Sequence, residues 1–193
     1  MKIKTFAEYS QELVINEIGD LKNIISYDFK LIRNSGNRAT YKFDLIEEDG
    51  STDIYTVTLE AIWYQENIVS RYSQAVTGLD FYENLQKKFK SLDSLFDISF
   101  KSERLGYSLT KDSKGMEYIF KILKTVVDIL ENYTHNTKTS GKVGFCFTGD
   151  SGDSRRLNIY KSILQKQIEQ KNLNLKLELI KESKDNYPMI VFY

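Results

Sequence analysis

"MEYIFKILKTVVDILENY", Met116 to Tyr133, and "KVGFCFTG", Lys142 to Gly149, form the stretch whose reading decides the fold. In the first, Met116, Ile119, Phe120, Leu123, Val127 and Leu130 recur three or four residues apart and predict one helical stripe. Ile122, Val126 and Ile129 add a second apolar flank, so the helix must be covered over much of its circumference. In the second, Val143, Phe145 and Phe147 fall on one alternating face, Gly144 and Cys146 on the other. Apolar residues on both faces are the pattern of an interior strand covered on both sides. A long helix leading into such a strand predicts a sheet with helices packed on it.

Toward the C-terminus, a helix is expected from about Asp153 to Lys171, with Leu157, Tyr160, Ile163, Leu164 and Ile168 facing inward. "LNLKLELI" then alternates cleanly in Leu173, Leu175, Leu177 and Leu179, and "KESKDNYP" connects it to "PMIVFY" as an antiparallel hairpin. Toward the N-terminus, "FDISFKSE" reads as a strand, preceded by an amphipathic helix over "LDFYENLQKKFKSL" with Phe81, Leu85, Phe89 and Leu92 on one side. From Tyr27 to Tyr64 the texture is β: "YDFKLI", a turn at "NSGN", "ATYKFDLIEE", a turn at "DGST", and "DIYTVTLEAIWY". Ile54, Thr56 and Thr58 alternate there against Tyr55, Val57 and Leu59, and Asp49-Gly50 is a hairpin signal, so an antiparallel meander is expected. "TFAEYSQELVINEI" opens with Thr5 and Glu8 in a capping-box spacing and predicts a short N-terminal helix. The expectation is one α/β (α+β) domain over 1–193: helix and meander over about 1–64, then strand, helix, strand, helix and hairpin over about 96–193.

Composition narrows the function. Lys plus Arg and Asp plus Glu are each 27, so the formal net charge is zero and no basic field exists to condense on nucleic acid or anionic lipid. A near-neutral surface also does little to keep copies apart. One cysteine, Cys146, excludes an internal disulfide and a cysteine metal cluster, and one histidine, His135, excludes a multi-histidine site. Cys146 lies within an apolar strand and reads as a small core residue; His135, in "HNTKTS", reads as a solvated loop residue. Glu47 to Asp49 match no calcium-loop spacing and read as a solvated hairpin tip. No stretch is long and apolar enough to span a membrane, and a soluble intracellular protein is expected.

The order of elements over roughly the last hundred residues looks like the GNAT N-acetyltransferase fold. A second resemblance rests on "GYSLTKDSKGMEYIFKILKTVVDILENY" followed by a strand and "SRRLNIYKSIL". It is similar to small tailed-bacteriophage proteins whose long helix follows a glycine-containing turn and whose second motif reads strand, polar turn, "S-R-x-x-x-Y". That resemblance implies a phage origin and a place among virion or assembly components, with other virion proteins and copies of the chain as partners. The corresponding location is the virion, and the host cytoplasm during assembly.

GNAT enzymes resemble one another in a "Q/R-x-x-G-x-G/A" segment that lets backbone N–H groups and the helix dipole meet a pyrophosphate. In "KDSKGME", with Gly115 as the first glycine, Asp112 stands where Gln or Arg belongs and Glu117 where a small residue belongs, and both repel a pyrophosphate. Asp112 or Ser113 reads instead as a helix cap. The same resemblance points to Tyr160 as a proton donor to a leaving thiolate and Glu103 as a base. Each also has an ordinary reading, Tyr160 in the stripe with Leu157 and Leu164, Glu103 as one charge in "KSER".

The turn in "FTGDSGDSRRLNIYKS" lacks the spacing and lysine of a phosphate loop, and Asp153 or Ser154 reads as the N-cap. Asp150 and Asp153 place negative charge where an anion would sit. Arg155 and Arg156 are cations in a first turn, where the dipole disfavours them, and are candidates for an ion pair within the chain or with a neighbouring subunit. No catalytic, cofactor or metal residue is assigned. The expected function is a non-enzymatic virion component, a ring, neck or tail subunit; the alternatives are an acetyl-CoA-dependent acyltransferase and a small inhibitor of a host defence protein.

Overall fold

The computed structural model describes residues 25–46, 50–65, 67–68, 79–104, 116–136, 141–148, 154–171, 176–180 and 189–192. Strands are β1 (Phe29–Asn34), β2 (Arg38–Ile46), β3 (Thr52–Tyr64), β4 (Asn67–Ile68), β5 (Ser94–Ser102), β6 (Val143–Thr148), β7 (Leu177–Ile180) and β8 (Met189–Phe192). Helices are α1 (Leu79–Lys88), α2 (Met116–Asn136) and α3 (Ser154–Gln170). The strands form one mixed sheet in the order β1-β2-β3-β5-β6-β8-β7, with β4 pairing the end of β3. All neighbours are antiparallel except β5 and β6, whose parallel pairing α2 makes possible by returning the chain to the starting edge. The expected N-terminal helix and the tip at Glu47 to Asp49 lie outside the described residues.

The expected antiparallel meander is present, with Tyr41 opposite Val57 and Phe43 opposite Tyr55, and β5 joins it with Val57 opposite Phe100 and Leu59 opposite Ile98. Ala39, Tyr41, Phe43, Leu45, Tyr55, Val57, Leu59 and Ala61 are therefore on one face, and all are buried. Phe96, Ile98, Phe100, Phe145 and Phe147 continue that face across β5 and β6. On it pack Phe120, Leu123, Val127 and Leu130 of α2 and Ile163 and Leu164 of α3. Burying these side chains at roughly 1.5–3 kcal/mol each supplies most of what opposes the chain's conformational entropy.

The opposite face is divided. At one end, Leu85 of α1 and Phe89 just past it cover this face and join Trp63, Leu95, Cys146 and Ile180 in a second cluster. This explains why β6 is apolar on both faces: Phe145 and Phe147 meet the first cluster, Cys146 the second. At the other end the face is polar, carrying Thr40, Lys42 and Asp44 on β2 with Thr56 and Thr58 on β3. The predicted helix over 79–92 ends at Lys88. Phe89 and Leu92 stay buried beyond it because the Leu92 carbonyl accepts the Trp63 indole N–H (3.4 Å) and the chain turns into β5.

The C-terminal hairpin is present as β7 and β8, but β8, not β7, pairs with β6, Cys146 opposite Val191 and Phe147 opposite Ile190. Leu173 and Leu175 lie outside the described residues. β5 also begins two residues earlier than its alternation suggests, since Ser94 and Leu95 pair with Val143 and Gly144. A reciprocal latch holds that end: Asp93 N–H donates to Lys142 O (2.9 Å) and Lys142 N–H to Asp93 Oδ2 (2.6 Å). Gly141 sits against it with φ of 151°, and a Cβ there would come within 2.6 Å of Asp93 Cγ. Gly141→Ala should cost about 1–3 kcal/mol in urea denaturation. In an Asp93→Ala background the same substitution should cost less, though not nothing, because the contacts with Cγ and Oδ2 disappear while the 2.9 Å approach to the Cβ at position 93 and the positive φ remain.

Candidate functional site

The two residues that an acyltransferase reading would use come from neighbouring regions of the sheet but not from one surface. Tyr160, on the second turn of α3, packs its ring against Phe100 (centroids 6.1 Å) and Phe147 (6.3 Å), which themselves meet edge to face at 6.0 Å. Phe100 and Phe147 belong to the face covered by α2 and α3, so Tyr160 lies on that side. The parallel pairing of β5 with β6 extends only from Ser94–Val143 to Asp97–Cys146, and the three rings pack just past its end. Glu103 follows Ser102 directly, and its N–H donates to Ile54 O (2.8 Å). That places Glu103 in phase with Ile54 and Lys101, on the other face, where Oε1 pairs with Lys42 Nζ at 2.8 Å. Tyr160 and Glu103 are thus on opposite sides of the sheet.

At the same end of β5 is a buried polar cluster that sequence reading missed. Asp53 is only 2% exposed; its Oδ2 accepts the Ser102 hydroxyl (2.5 Å) and its Oδ1 the Arg104 N–H (3.4 Å). Arg104 N–H also reaches Ser102 Oγ (3.1 Å). A carboxylate beside a serine hydroxyl is the raw material of nucleophilic chemistry. Here both side chains are buried, and the hydroxyl is spent holding the carboxylate, so the cluster fastens the exit of β5. One signal was available in the sequence: Asp53 is in phase with Tyr55 and Val57, and Ser102 with Ile98 and Phe100, polar residues at the ends of two apolar alternations.

Cys146 is fully buried, with Sγ 3.8 Å from Asp97 Oδ1. Burial first, and then the Asp97 carboxylate, push its thiol well above the ordinary cysteine range. A thiol held protonated in an apolar cluster is a packing group, as expected. Burial likewise pushes the Tyr41 phenol up to about 12.

Between the helices, Lys171, just past α3, pairs with Asp128 Oδ1 at 2.5 Å and with Glu131 Oε2. Burial lowers the Lys171 ammonium, but its contacts with Asp128 and Glu131 outweigh burial and hold it above the ordinary lysine value. One turn earlier Gln167, 1% exposed, has neither amide atom hydrogen-bonded to a described residue.

α3 begins at Ser154, which puts Arg155 and Arg156 in its first turn as expected; their side chains, and the residues before Ser154, lie outside the described residues. So do Asp112, Ser113 and Gly115, and the side chain of Glu117. His135 is corrected from loop to helix: α2 runs to Asn136, and His135 is an exposed residue of its last turn. Among the described residues no group of three or more His, Cys, Asp or Glu is placed to hold a metal, and no helix is long and apolar enough to cross a membrane.

The burial of Cys146 makes a direct prediction. Native protein should resist iodoacetamide at neutral pH, and the alkylated mass should appear only as denaturant unfolds the chain; rapid native labelling would show an accessible thiolate. Compared with known proteins, the chain matches no family model, no curated protein and no solved structure.

Proposed function

We propose that the chain is a non-enzymatic structural or assembly component of a tailed-bacteriophage virion, a ring, neck or tail subunit, built on a degenerate GNAT-like fold. The observation that carries the non-enzymatic half is the placement of Tyr160 and Glu103 on opposite faces of the sheet. A proton donor and a base must both come within hydrogen-bonding reach of the reacting atoms, either directly or through one water. Tyr160 packs with Phe100 and Phe147, and Glu103 is held by Lys42, so each has the structural role that its sequence context suggested. In the sequence, Asp112 and Glu117 stand where the resemblance calls for Gln or Arg and for a small residue, and their charge disfavours a pyrophosphate. The GNAT-like half is supported by the order β5, α2, β6, α3, β7, β8 after an antiparallel meander. The phage half is supported by the likeness of the two motifs around α2 and α3.

Such a subunit needs surfaces for other virion proteins or for its own copies. Exposed Ile25, Leu31, Ile32 and Ile46 supply apolar side chains along the β1 side of the sheet. The acyltransferase alternative keeps one favourable observation, the half-buried Tyr160 beside the end of the parallel strand pair.

Two measurements separate the readings. Mass spectrometry of purified virions should find the chain in copy numbers well above one per particle, and its absence sinks the assembly reading. Acetyl-CoA at millimolar concentration should leave the melting temperature of the purified chain unchanged. A rise would favour the acyltransferase, because a ligand selective for the folded state must stabilise it.

A further inference from the structure

β1 is the outermost described strand on its side of the sheet, and its sequence Phe29-Lys30-Leu31-Ile32-Arg33-Asn34 leaves Leu31 47% and Ile32 57% exposed. The direction of its main-chain groups follows from the registers. Ala61 N–H donates to Asn37 O (2.8 Å), so Asn37 and Ala61 form a hydrogen-bonded pair. Counting in twos along β2, Ala39, Tyr41 and Phe43 aim their amides at β3, and Thr40 and Lys42 aim theirs at β1. Lys42 is opposite Lys30, so Lys30 bonds inward to β2, while the N–H and C=O groups of Phe29 and Leu31 point away from the sheet.

These outward groups are spaced to accept an identical strand. With a two-fold axis at Lys30, Phe29 of one copy lies opposite Leu31 of the other, twice over. Both are outward-bonding residues on the face that carries Tyr41 and Phe43, so four main-chain hydrogen bonds and two apolar cross-strand pairs form together. The register shift between Leu31 and Arg33 inserts Ile32 as a bulge and brings Arg33 onto the opposite face, the one Lys30 occupies. In the doubled sheet each Asp28 then lies opposite the bulge of the other strand and within reach of its Arg33. Asp28 and Arg33 are both exposed and of opposite sign, so the strand is self-complementary about its own centre. The twin Lys30 side chains on the axis oppose the contact, but they are long, solvated and single in number against two opposite-charge pairs.

We infer that the outer edge of β1 is a homotypic interface on which a second copy of this chain adds its β1 antiparallel about Lys30, extending one sheet across the dimer. The inference deepens the assembly reading by naming a surface and a partner for it, and it is measured separately from that reading.

Sedimentation velocity of the full chain over roughly 1–100 µM should show a monomer–dimer equilibrium. Leu31→Pro removes the outward N–H and is tolerated on an edge strand, so it should weaken the dimer at least about tenfold, with an unchanged melting curve at concentrations low enough for both chains to be monomeric. Asp28→Arg and Arg33→Asp should each weaken it several-fold, and the double exchange should restore it, because only this register puts the two residues together. A chain that stays monomeric throughout, a dimer indifferent to Leu31→Pro, or single exchanges whose losses simply add would each overturn the inference. A monomer found in virions would sink this interface and leave the assembly reading standing; a dimer missing from virions would do the reverse.

Discussion

Phe96 is the residue on which the sheet and its helices converge. It pairs with Ala61 of β3 on one side and with Phe145 of β6 on the other, the point where antiparallel neighbours give way to a parallel one. Its ring meets Tyr133 of α2 at 5.2 Å, Phe145 at 6.1 Å and Tyr64 at 6.3 Å. Tyr133 also meets Phe145 at 6.1 Å and donates its hydroxyl to Gly36 O (3.1 Å), so α2 is tied to β6 and to the turn between β1 and β2. Ring pairs of this kind add about 0.5–1.5 kcal/mol each beyond the area they bury. β6 lies parallel to β5 through the crossover that α2, seated against Phe96, provides, because a parallel pair has no tight turn to hold it in register.

The polar groups inside this frame tell the same story. Asp53, Ser102 and the Arg104 N–H close the far end of β5, and Asp93 with Lys142 closes its near end. Thr125, fully buried on α2, returns its hydroxyl to Lys121 O and accepts Tyr27 N–H (2.9 Å), pinning the chain just ahead of β1. Tyr27 in turn stacks on Phe43 at 5.4 Å. Among the described residues, Asp53, Ser102, Asp93 and Thr125 are each engaged in holding a strand end or a helix. The outer edge of β1 carries apolar and oppositely charged side chains along it, exposed Leu31 and Ile32 beside Asp28 and Arg33.

Much of this was legible in the residues. The stripe from Ile119 to Leu130, the two-sided apolar run of β6 and the alternation of β3 fixed element types, because periods of 3.6 and 2 leave different marks on a sequence. The face assignments of Cys146 and Tyr160 as packing residues were also readable, since each continues an apolar pattern. Asp53 and Ser102 were readable only as breaks in phase, and nothing in either strand alone says that they meet.

By itself the amino-acid order determined the type of the main described elements, the meander, the two long helices and β6, and which side chains of each share a face. Periodicity is local, so these features need no knowledge of neighbours. Tertiary structure alone decided the partners: β8 inserted between β6 and β7, β5 beginning at Ser94, α1 on the face away from α2, and Glu103 on the face away from Tyr160. Those depend on strand pairings between residues far apart in the chain, fixed by how the two apolar clusters are filled, and a one-residue change of register would reverse every face. Whether two candidate residues can act on one molecule is a question of that second kind, because phase within each element says nothing about the register between them.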